Sequence, residues 1–235
     1  MEIDLQGIVV VVGNYGSGKT EVSINLAVNQ KRAGFDVRIA DLDLVNPYFR
    51  TREARTVLSE LGIDVVLPPE QYLQADLPVL SPAIAGMVKK PSDVSILDVG
   101  GDDAGATVLA ALADAFKNRH VHMLQVINPL RPMTRSIEGC LKMQTEIEQA
   151  SQMTVTGLIG NANLIDETSS DDIYCGYDFV TSLAAESDLP LEFITIAHEL
   201  LPGIDMQRFA CPILPIARQL VPPWGKAAEF GKVEI

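Results

Sequence analysis

Gly13-Asn14-Tyr15-Gly16-Ser17-Gly18-Lys19-Thr20 fits the spacing G-x-x-x-x-G-K-[ST]. These residue types can hold a phosphate chain. Glycines let the backbone curl so that successive N–H groups point at anionic oxygens. A helix that starts at the end of such a loop adds its N-terminal partial charge to the same anion. Lys19 supplies the cation for the outer phosphates, and the Thr20 hydroxyl is a ligand for Mg²⁺.

Three acids stand where they can serve that loop. Asp41-Leu42-Asp43 closes one apolar run, and Asp98 closes another, Val94-Ser95-Ile96-Leu97-Asp98, followed by Gly100-Gly101. Open α/β sheets bind ligands outside the carboxyl ends of their strands. There, Asp98 can bind the Mg²⁺ shell, and of the pair Asp41 and Asp43 one can hold Mg²⁺ through water while the other orients a water for in-line attack on phosphorus. The backbone of Gly101 can approach a terminal phosphate closely. Asn128 and Asn161 end two further runs, and a strand-end amide can both donate to and accept from a purine edge. Asn161-Ala162-Asn163-Leu164 has no acid at its fourth position, unlike the guanine-reading Asn-Lys-x-Asp, which favours adenine.

The elements that must position these residues alternate along the chain. Strands are expected over Gly7–Val12, Val37–Asp41, Ser95–Val99, Val121–Ile127, Val155–Gly160, Glu192–Ala197 and Ile213–Pro215. Helices are expected over Lys19–Ala33, Asp103–Asn118, Met133–Ala150, Asp171–Glu186 and Lys226–Phe230. The β-branched run Ile8–Val12 ahead of the loop is typical of a strand buried on both faces. The alternation predicts an α/β fold, three-layer α/β/α, with a mostly parallel sheet. A single domain over 1–235 is expected, interrupted by an irregular proline-rich excursion at about 65–91 with Pro68, Pro69, Pro78, Pro82 and Pro91.

Composition narrows the function. An apolar share of 47% over 235 residues supports one sizeable core. A net charge of −13 disfavours nucleic acid and anionic lipid as partners. No run approaches the ~20 apolar residues of a membrane span. The acidic start Met1-Glu2-Ile3-Asp4 does not match a secretory leader. Cys140, Cys175 and Cys211 lie far apart with no metal-type spacing, so a reducing cytoplasmic location is expected.

Taken in order, the loop at 13–20, Asp41-Leu42-Asp43, Asp98-x-Gly100-Gly101, Ile127-Asn128-Pro129 and Gly157-Leu158-Ile159-x-Asn161 resemble the ParA/MinD/CobQ-type P-loop NTPases. That group is the SIMIBI class, which includes the nitrogenase iron protein and the signal-recognition GTPases. The resemblance implies ATP and Mg²⁺ as cofactors, and an Mg-dependent, slow ATPase that switches a protein partner. Lys19 then corresponds to the P-loop lysine, Thr20 to a metal ligand, Asp43 to the water-positioning acid, Asp98 to the Walker B acid and Asn161 to a base contact. The synthetase branch gives the alternative: ATP-dependent activation of a carboxylate, as in CobQ or dethiobiotin synthetase.

One position departs from the pattern. ParA and MinD relatives carry a signature lysine directly after the first loop glycine, reaching across a homodimer. Asn14 stands there instead. Arg50, Arg52 and Arg131 are the candidates to supply the missing cation.

Overall fold

The computed structural model describes residues 1–43, 51–67, 82–101, 103–221 and 225–230, with the backbone alone at positions 52, 103 and 104. The central sheet forms from β1 (Gly7–Val12), β2 (Val37–Leu42), β3 (Asp64–Val66), β4 (Val94–Val99), β5 (Val121–Ile127), β6 (Gly157–Gly160), β7 (Leu191–Ala197) and β8 (Ile213–Ile216). Their order is β3-β2-β4-β1-β5-β6-β7-β8, and every described pairing is parallel. The connections carry α1 (Lys19–Arg32), α2 (Arg55–Glu60), α3 (Pro82–Lys89), α4 (Asp103–Ala111), α5 (Ala113–Phe116), α6 (Ile137–Ser151) and α7 (Ser170–Ser187).

Alternation along β1 splits the core into two layers, because successive strand residues face opposite sides. Val9 and Val11 pack with Val22, Ile24 and Leu26 of α1 on one face. Ile8, Val10 and Val12 pack with Leu109 of α4 and Ile147 of α6 on the other. Both faces are therefore covered, as a parallel sheet requires. This is the expected three-layer α/β/α arrangement. From β1 the chain runs outward to β2 and β3, returns to β4 beside β1, then crosses to β5 on the other side. The loop at 13–20 sits at this reversal of strand order, where open sheets place their ligands.

Local signals explain several boundaries. Ser136 caps α6 by accepting from the Gly139 N–H, so that helix starts four residues later than Met133. A reciprocal capping box of Ser169 and Asp172 starts α7. The helix expected over Asp103–Asn118 is interrupted at Leu112. The expected helix over Lys226–Phe230 does not form. The Ala228 N–H instead donates to Arg218 O at 2.8 Å, and Phe230 is buried in the α1-side core. The third strand and α2 were not expected. Part of the proline-rich excursion, residues 68–81, lies outside the described residues, and Pro82–Lys89 within it is helical.

Candidate functional site

The loop at 13–20 leaves β1 at Val12 and enters α1 at Lys19. Gly18 takes φ +90°, a left-handed value that disfavours any side chain. Three loop carbonyls are tied by side chains. Asn14 O accepts from Lys19 Nζ at 3.1 Å, Gly16 O from Arg131 Nε at 3.1 Å, and Ser17 O from Asn161 Nδ2 at 2.6 Å. The Ser17 N–H donates to Asn14 O at 3.2 Å. The Ser17 hydroxyl is fully buried and has no hydrogen-bond partner. A buried, unpaired donor in such a loop suits an anionic oxygen.

Lys19 is buried, and Gly101 lies directly against it: a Cβ at Gly101 would stand 2.7 Å from Lys19 Nζ and 2.8 Å from Tyr15 N. The loop after β4 thus touches the phosphate loop, and only glycine permits that approach.

The acids converge on the same place. Asp41 and Asp98 are register partners across β2 and β4, and both are inaccessible to solvent. Burial first, and the Asp41 charge second, push the Asp98 carboxyl up to about 7. Hydrogen bonds from Thr51 and Thr20 and the charge of Lys19 act against that rise. Thr51 Oγ1 donates to Asp98 Oδ2 at 2.7 Å and Ser23 Oγ to Asp98 Oδ1 at 3.3 Å. The Asp43 N–H donates to Asp41 Oδ1 at 3.0 Å, which fixes Asp43 just past the strand end. Mg²⁺ is commonly held by one or two carboxylates together with phosphate oxygens and water. The Thr20 hydroxyl beside the Asp41 and Asp98 carboxylates fits that donor set.

Two of the expected asparagines bond within the protein. Asn161 is buried and spends its amide on Ser17 O and on the Thr195 hydroxyl, which donates to Asn161 Oδ1 at 2.5 Å. Asn128 Nδ2 donates to Asn163 O at 2.8 Å and its Oδ1 accepts from the Leu130 N–H, so it joins the loops after β5 and β6. Arg131 reaches the phosphate loop. Arg50 and the side chain of Arg52 lie outside the described residues. Thr51 and Ser23 were not anticipated: a lone hydroxyl carries no spacing signal.

No model of a known protein family matches the chain, and neither does any curated protein sequence. Solved structures do match. The cell division protein FtsY from Thermotoga maritima superposes with a TM-score of 0.56 at 21% identity, over 83% of this chain and 63% of that one. FtsY from Mycoplasma mycoides gives 0.55 at 19%, over 83% and 63%. The signal recognition particle 54 kDa protein from Aeropyrum pernix, solved with GDP, gives 0.55 at 18%, over 82% and 42%. The fold is the three-layer α/β/α P-loop NTPase fold of these neighbours. The chain spans 63% or less of the length of these three neighbours. Among the described residues, no helix is long and apolar enough to cross a membrane.

Proposed function

We propose that this chain binds Mg·ATP at the loop 13–20, hydrolyses it slowly, and uses the two nucleotide states to switch a protein partner. The observation that carries the reading is the meeting of Lys19, Thr20, Asp98 and Gly101 around one concave loop. Lys19 neutralises the outer phosphates, and the loop N–H groups orient them. Thr20, Asp41 and Asp98 hold the cation. When bound, Mg²⁺ supplies Lewis-acid stabilisation of charge on the phosphoryl oxygens. Asp43 orients the attacking water and accepts its proton. Gly101, packed on Lys19, is placed to respond to the terminal phosphate and pass its presence to α4.

Adenine is favoured because Leu164 cannot accept from the guanine N1–H and N2–H, as an acid there would. The GDP in the signal recognition particle neighbour argues for the other purine, so both nucleotides belong in the test. Slow turnover is expected because Asn14 replaces the signature lysine, and rapid phosphoryl transfer commonly needs one more cation.

Calorimetry with Mg·ATP on the wild type and Lys19→Ala tests the reading. A measurable wild-type affinity, lost in the variant, is expected. Equal affinity in both rejects the site.

A further inference from the structure

The loop after β6 was expected to offer Asn161 to the base, yet its side chain points into the phosphate loop. Asn161 is buried, and its Nδ2 donates to Ser17 O at 2.6 Å across 144 residues of sequence. Its Oδ1 accepts from Thr195 Oγ1, on β7, at 2.5 Å. A third contact closes the arrangement. A Cβ on Gly18 would collide with Asn161 Nδ2, so the amide fills the space that Gly18 leaves open. One hydrogen-bonded chain therefore runs from the β7 strand through Asn161 to the middle of the phosphate loop.

An asparagine amide has two N–H donors and one carbonyl acceptor. Here one donor and the acceptor are both engaged at short range. The Thr195 hydroxyl has a single proton, and the 2.5 Å contact to Asn161 prevails over the 3.4 Å contact to Gly160 O. The amide is thus fixed in one orientation by Thr195, with its nitrogen toward Ser17. Holding Ser17 O outward turns the peptide that links Ser17 to Gly18, so that the Gly18 N–H faces the cradle.

We propose that Asn161 is a positioning residue for the phosphate cradle, oriented by Thr195, and that it sets affinity for the phosphate chain without regard to the base. The proposal rests on the nucleotide reading above and changes the part Asn161 plays in it. Thr195 becomes part of the site, although it lies on a buried strand and touches no loop residue in 13–20 other than through Asn161 in the bonds described.

The test uses a ligand that has no base. Affinities for Mg·tripolyphosphate, Mg·ATP and Mg·GTP are measured by calorimetry on the full chain, for wild type, Asn161→Ala, Thr195→Val and Thr195→Ser. Losing one buried, well-aligned hydrogen bond is expected to cost about tenfold in affinity. Asn161→Ala should weaken tripolyphosphate and ATP by the same factor and leave the ATP-to-GTP ratio unchanged. Thr195→Val, which keeps the shape of a buried strand residue and its fold, should weaken both in the same direction. Thr195→Ser keeps the hydroxyl and should restore them. If Asn161→Ala weakens ATP but leaves tripolyphosphate unchanged, Asn161 reads the base and the proposal is overturned. Unchanged affinities in Thr195→Val overturn it too, even where Asn161→Ala fails to fold. A wild type that binds none of the three ligands removes the nucleotide reading itself, and this proposal with it.

Discussion

Asp41 and Asp98 face one another across the β2–β4 ladder, each fully shielded from water. Two carboxylates in such a place repel, and burial penalises the charge of each. The arrangement costs stability in the metal-free chain, and a divalent cation would relieve it.

Asp98→Asn should therefore separate stability from function. In EDTA the variant should melt higher than wild type, by about 2–4 °C for each kcal/mol of repulsion removed. With Mg²⁺ and ATP the order should reverse, because the variant gains little from the metal. Thermal melts in EDTA and in Mg·ATP check both halves. A variant that melts lower in EDTA and still responds fully to Mg²⁺ would show that Asp98 is a structural acid.

Asp43 differs from its neighbours in lying past the strand end, tied to Asp41 through its own backbone N–H. Asp43→Asn should keep ATP affinity within about threefold, since the lost interaction belongs to the transition state. Turnover should fall by about 10²–10⁴. Steady-state phosphate release beside calorimetry measures the two effects. Wild-type turnover in the variant removes Asp43 from the mechanism.

The proposed preference for adenine rests on Leu164. Competition of unlabelled ATP and GTP against a fluorescent nucleotide should show ATP binding more tightly. Leu164→Asp should then move preference toward GTP, since a carboxylate there can pair with guanine. Tighter GTP binding by the wild type would overturn the adenine reading.

His122 gives a pH signature remote from the phosphate loop. Burial foremost, and the adjacent His120, hold its imidazole below the ordinary value of 6.5, while the Gln6 backbone and Asp4 oppose that shift. The folded state disfavours the protonated ring. Its contribution to stability is complete above pH 6.5 and is lost as pH falls through the lowered folded value. His122→Gln should flatten the decline of the melting midpoint between pH 7 and pH 5. The same slope in wild type and variant would assign the acid sensitivity elsewhere.

Much of this protein was legible in its sequence. The run Ile8–Val12 reads as a buried parallel strand because both of its faces must be apolar, and Gly13–Thr20 reads as a phosphate loop because only glycine tolerates those backbone angles. The alternation of strands and helices set the layers. These are local constraints, written in neighbouring residues. Tertiary structure decided the rest. That Asp41 faces Asp98 is a matter of register between strands joined through distant connections. That Thr51 and Ser23 hold the Asp98 oxygens follows from the same packing. The C-terminal segment reads as a short helix in isolation. Its backbone bonds go elsewhere: the Ala228 N–H donates to Arg218 O at 2.8 Å, and Ala228 O accepts from Gln219 Nε2 at 2.8 Å. Asn161 shows the limit most clearly. Its residue type suits a base edge, but its hydrogen bonds go to Ser17 and Thr195, neither of which is near it in sequence. A side chain's partners are set by what the fold brings within about 3 Å of it, and local sequence does not carry that information.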